Sequence, residues 1–112
     1  MECKITVKDW GKVGPEPVQL YRLTNGQVEM AISNYGATLV AAWVPDRQGG
    51  MANVVAGFDT LLPYTQDHPY LGCIVGRYCN RIARGRFTLD GQPFQLTVNE
   101  AENHLHGGFQ GL

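Results

Sequence analysis

The sequence predicts an all-β protein, an antiparallel β-sandwich. Short alternating or apolar runs recur along the chain, and turn signals break them at intervals of about eight to twelve residues. No segment keeps a helical period over ten or more residues. Six or seven strands spaced in this way suit a sandwich or a barrel.

The elements follow in order. "VQLYRLT" (18–24) alternates, Asn25-Gly26 follows, and "QVEMAIS" (27–33) alternates again. An Asn-Gly pair between two such runs is a strong hairpin signal. "ATLVAAWVP" (37–45) is a nearly continuous apolar run that stops at a proline, as expected of a strand buried on both faces. "PDRQGGMAN" (45–53) is polar and glycine-rich and reads as a loop. "GFDTLLPYTQDHPY" (57–70) has room for one helical turn at most, stopped by Pro63. "RFTLDGQPFQL" (86–96) repeats the hairpin logic around Asp90-Gly91, with Pro93 just past the turn, where a missing N–H does least harm. The closing "HGGFQGL" offers no final strand or cap, so the sheet edge it approaches is expected to lie unpaired. Sandwiches of this kind commonly need about 200–250 residues. The 112 residues are therefore expected to be the N-terminal portion of one domain, with an apolar sheet face left open to self-association.

Composition excludes several classes of function. A net charge of −1 supplies neither a basic field for nucleic acid nor an acidic tail for a cationic partner. No stretch approaches the ~18 apolar residues of a membrane helix, and the start has no signal-peptide core. Cys3, Cys73 and Cys79 are odd in number and lack CxxC spacing, which argues against a disulfide framework and for a reducing, cytoplasmic setting. Cys73 and Cys79 have apolar or small neighbours and are expected to be buried. Neither GxGxxG nor GxxxxGK[ST] occurs, so nucleotide binding has no support.

Three stretches contain residues suited to chemistry. In "NHLHGG" (103–108), an extended backbone would put His104 and His106 on one face. They could be two packed or surface histidines. They could form a metal pair, although zinc needs three or four ligands and neither cysteine completes a site. They could also do acid–base or hydrogen-bonding work near neutral pH, with Gly107-Gly108 admitting a ligand close to the backbone. In "GRYCNRIARGRF" (76–87), the arginines could be a solvated or ion-paired face, the reading preferred for Arg84 and Arg86. Asn80-Arg81 could equally grip a polyhydroxylated ligand, because asparagine donates and accepts and the guanidinium fork reaches two oxygens. Trp10, Trp43, Phe58, Tyr64, Tyr70 and Phe87 could form a sugar-stacking platform, but most are expected in the core. Asp46, Asp59 and Asp67 lie in loops and suit Asx turns.

From Asn34 onward the chain closely resembles the aldose 1-epimerases, or galactose mutarotases. "NYGATL", "VPDRQG", "VVAGFD", "PYLGCIVGRYCNRIA" and "NHLHGG" stand in that family's order and spacing. Each motif alone is weak, and the ordered set is specific. The resemblance implies a large antiparallel β-sandwich whose small-molecule partner is a free aldohexose, with no metal or organic cofactor. It implies that Asn80 and Arg81 grip the sugar. It makes His106 an active-site histidine that hydrogen-bonds the sugar near its ring oxygen and supports the acid step, with His104 a structural neighbour. It places the principal acid, a second histidine, together with a sugar-binding aspartate and the glutamate base, beyond the equivalent of Leu112. His68, considered as a substitute acid, stands where the family has no catalytic role. A non-catalytic sugar-binding module with the same three residues is the other class of function, and an epimerase of phosphorylated hexoses, using Arg77 or Arg84, is a third.

Overall fold

A computed structural model describes residues 2–67 and 69–110. The chain divides into two compact units, Met1–Ile74 and Val75–Leu112.

The first unit is a five-stranded antiparallel sheet in simple sequence order: β1 (Lys4–Val13), β2 (Glu16–Thr24), β3 (Glu29–Ser33), β4 (Leu39–Pro45) and β5 (Met51–Asn53). The expected β2–β3 hairpin forms, with Thr24 opposite Glu29. Its loop has four residues rather than two. Asn25 acts through its side chain, whose Oδ1 accepts from the Gln27 and Val28 N–H groups, and Gly26 takes φ +87°. Strand β1, which the alternation had not marked, is the longest. Its period is broken by a bulge between Asp9 and Gly11, and Ile5 and Val7 stay 63% and 50% exposed.

Leu20, Ala31, Val40, Ala41 and Tyr64 form the core of this unit, with Trp10, Trp43 and Phe58 packed against them. The apolar run of β4 is therefore not a strand buried on both faces. Ala31 pairs with Ala41 and Ile32 with Leu39, which leaves Val40 as the extra residue of a bulge. Neighbouring Val40 and Ala41 thus both enter one core, while Ala42, Trp43 and Val44 are only half-buried. Tyr64 is held in a 3₁₀ turn, Leu62–Thr65, and meets Phe58 edge-on at 5.1 Å and Trp10 at 5.6 Å. Pro63 lies within the first residues of that turn rather than ending it, since an N-terminal N–H has no partner to lose. Asp46 behaves as expected: its Oδ1 accepts from the Gln48 and Gly50 N–H groups and closes the β4–β5 turn.

The second unit has two short ladders. One is β6 (Arg81–Ile82) against β9 (His104–Leu105), and the other is β7 (Arg86–Leu89) against β8 (Gln92–Gln95). Asp90 and Gly91 both take positive φ (49° and 76°), so β7–β8 is the tight two-residue hairpin the sequence predicts. Alternation then makes Thr88–Pro93 a non-hydrogen-bonded pair, where proline removes no ladder bond. Phe87 and Phe94 stack across it at 5.1 Å. Among the described residues there are nine strands rather than six or seven, because the sequence pattern registers neither β1, nor the short β5 at the end of the stretch read as a loop, nor the two-residue pair β6 and β9. Strand β9 ends at Leu105, before "HGGFQGL" begins.

Candidate sugar-binding site

The β6–β9 ladder sets the site. Arg81 pairs with Leu105 and Ile82 with His104, so Asn80 and His106 come to lie opposite each other one step beyond the ladder. Two hydrogen bonds tie them: the His106 N–H donates to the Asn80 carbonyl (3.1 Å), and the Asn80 N–H donates to His106 Nδ1 (3.0 Å). A backbone N–H can bond only to a lone pair, so Nδ1 is the unprotonated ring nitrogen and Nε2–H is the donor. Both residues sit in the left-handed region, at φ +64° and +50°. Such strain in non-glycine residues persists where surrounding bonds hold it, and it collects at functional sites.

The left-handed turn at His106 also separates the two histidines. They do not share a face as an extended "HLH" would require. His106 is exposed, whereas His104 is 3% exposed and its Nδ1 bonds to the Thr97 carbonyl at 2.8 Å. The two glycines that follow serve packing rather than ligand access. A Cβ on Gly107 would stand 2.2 Å from the Gly76 carbonyl oxygen, and one on Gly108 would stand 3.3 Å from His104 Cε1.

Arg81 uses one edge of its guanidinium on Glu100. Nε reaches Oε2 at 3.1 Å and Nη2 reaches Oε1 at 2.8 Å, while Nη1 makes a longer contact of 3.4 Å with Asn80 Oδ1. The fork expected to take two ligand oxygens is thus occupied on its side edge, and two of its five N–H groups remain. The bidentate pair lowers the Glu100 carboxyl below its ordinary range and raises Arg81, first through the hydrogen bonds and then through charge. Glu100 stands at the base of a tight turn, where its backbone bonds reciprocally with Asn103. Asn99 clamps β9 from the same segment, its Oδ1 accepting from the Leu105 N–H (2.8 Å) and its Nδ2 donating to the Leu105 carbonyl (2.9 Å).

A family model described as aldose 1-epimerase matches residues 19–112, starting inside β2 and upstream of the first recognisable motif. The chain belongs to the aldose 1-epimerase family. The galactose mutarotase of Sus scrofa is 46% identical over 99 residues, covering 88% of this chain and 29% of that protein. The aldose 1-epimerase of Escherichia coli is 34% identical over 98 residues, covering 87% and 28%. The crystal structure of galactose 1-epimerase from Lactobacillus acidophilus superposes with a TM-score of 0.78 at 25% identity, over 96% of this chain and 31% of that one. The fold is that of these epimerases, all-β as the strand pattern predicts. The chain spans less than a third of the length of the relatives it matches.

Asn80, Arg81 and His106, expected from the resemblance to hold the sugar, stand together on one exposed surface of this member of the family. Glu100, Asn99 and Asn103 position them and were missed. Their signal was available: two asparagines bracketing Glu-Ala-Glu mark a side-chain-clamped turn. Arg84 and Arg86 are exposed and make no ion pair among the described residues. The Arg84 N–H donates to Asn103 Oδ1 and Arg86 Nε to Gln95 Oε1. Cys73 and Cys79 are exposed rather than buried, because their segment is irregular coil with no apolar face to enter. Most of the aromatics build the core as expected, but Tyr70 is exposed. His68 lies outside the described residues. Among the described residues no three His, Cys, Asp or Glu side chains cluster as metal ligands, and no helix is long and apolar enough to cross a membrane.

Proposed function

We propose that this chain supplies the sugar-holding face of an aldose 1-epimerase, an isomerase that interconverts the α and β anomers of free aldohexoses such as galactose and glucose. The carrying observation is the reciprocal bonding of Asn80 and His106, which draws "NRIA" and "NHLHGG" into one surface. Mutarotation needs a base to remove the C1 hydroxyl proton and an acid to protonate the ring oxygen. The ring then opens to the aldehyde, rotates about C1–C2 and recloses. A ring oxygen only accepts hydrogen bonds, so His106 Nε2–H suits it. Asn80 Nδ2 and the remaining N–H groups of Arg81 suit hydroxyl lone pairs.

This surface is rich in donors, and the carboxylate bonded to it, Glu100, is engaged by Arg81. By the family resemblance, the proton acceptor for the C1 hydroxyl, the principal acid and a sugar-binding aspartate belong to the remainder of the sandwich. The chain is then the N-terminal portion of a single epimerase domain, inactive alone, since each general acid or base is worth about 10²–10⁴-fold.

Polarimetry of fresh α-D-galactose tests this, with circular dichroism confirming that the sample is folded. The expected rate equals the no-protein blank, while the sugar perturbs the His106 ring resonances. A rate above the blank that is lost in His106→Ala would overturn the placement of acid and base. Unperturbed His106 resonances at saturating galactose would overturn the sugar-holding reading.

A further inference from the structure

We propose that Glu100 is a positioning residue that also sets ligand class: it fixes the guanidinium edge Arg81 offers to the sugar and suits that edge to neutral rather than anionic sugars. The inference rests on the sugar-holding reading above.

Three observations carry it. The pair is bidentate, with Nε and Nη2 of Arg81 on the two oxygens of Glu100 at 3.1 and 2.8 Å. This selects one rotamer of a long side chain and leaves one N–H on Nη2 and one on Nη1 beside the Asn80 amide. Both backbones are held independently of the pair, Arg81 by the β6–β9 ladder and Glu100 by its tight bonds with Asn103. The guanidinium is therefore preorganised before ligand arrives, which lowers the entropic cost of binding. Finally, the carboxylate cancels the cation. An edge of two N–H groups without net charge matches two neighbouring hydroxyl oxygens, while an anionic ligand would meet Glu100 as a like charge.

Calorimetric titration of the chain with D-galactose and with D-galacturonate tests this in wild type, Glu100→Gln, Glu100→Ala and Arg81→Ala. Galactose should bind Glu100→Ala about three- to fivefold more weakly. Glu100→Gln, which keeps one acceptor, should lose about twofold or less. The galacturonate-to-galactose affinity ratio should rise about fivefold in both variants, a change that a purely structural Glu100 would not produce. Tighter galactose binding in Glu100→Ala would mean that the carboxylate obstructs Arg81, and it would overturn the proposal. An unchanged ratio in Glu100→Gln would overturn the assignment of ligand class. If Arg81→Ala binds galactose like wild type, the sugar-holding reading fails, an outcome separate from either of these.

Discussion

Between Lys4 and Asn53 the strands run to ten residues and close on Leu20, Ala31, Val40, Ala41 and Tyr64; among the described residues from Val75 onward no strand exceeds four residues and asparagines take over the work of apolar side chains. Asn99 clamps Leu105, Asn103 receives the Arg84 N–H, and Asn80 is bonded to His106. Backbone strain divides in the same way. Of the seven described non-glycine residues with positive φ, Asn80, Arg84, Asp90, Ala101 and His106 belong to the second unit, and Ala37 and Tyr70 to the first. Apolar burial makes a stable sheet but places no single side chain with care. Directed hydrogen bonds hold strained residues in one geometry, and that is where the proposed site lies.

This contrast can be sharpened by substitution. The largest effect should be on catalysis in a complete epimerase carrying this sequence, where His106→Ala lowers kcat/KM by about a hundredfold or more. A loss below about threefold would break the assignment. Leu20→Ala, in the sheet core, should destabilise the chain by about 2–4 kcal/mol in urea titration. The same substitution should leave the Asn80 and His106 resonances of the folded fraction in place, and movement of both would show that the two units do not divide the labour.

Asn99→Ala should behave in the opposite way. It leaves the half-buried Leu105 N–H without its partner, while the Leu105 carbonyl keeps the Gly108 N–H, at a cost of about 1 kcal/mol, and it should shift His106 while sparing Leu20.

The smallest effect is on pH dependence. Glu100 has its carboxyl lowered in the fold, so the order it contributes is complete above the ordinary carboxylate range and is lost as pH falls through the lowered value. Arg81 is raised, so its share is lost only in strong alkali. The Arg81 Nε–H resonance should therefore hold steady from about pH 5 to 9 and collapse below the ordinary Glu range. Collapse near neutrality would contradict the pairing.

The two units also differ in how far they could be read from sequence. Hairpins with chemistry in the turn were legible: Asn25-Gly26 and Asp90-Gly91 both mark turns, because few residues tolerate φ above zero. Strand β1 was missed because its Asp9–Gly11 bulge breaks the period of two, and β4 was misread because its bulge brings Val40 and Ala41 into one core. Asn80, Arg81 and His106 are singled out by family motif and not by pattern. Spacing alone put His104 and His106 on one face, and the left-handed turn at His106 undid that. Glu100 stayed hidden because its partner lies nineteen residues away across a two-residue ladder. Such a ladder leaves no periodic trace.

The most direct test of the account is a ¹H–¹⁵N titration of the 112-residue chain with D-galactose. The account predicts that the Asn80 and His106 amides and the Arg81 Nε–H shift together along one binding curve, with the residues of β1 to β3 unmoved. Shifts confined to the five-stranded sheet, with those three signals unchanged at saturation, would contradict it.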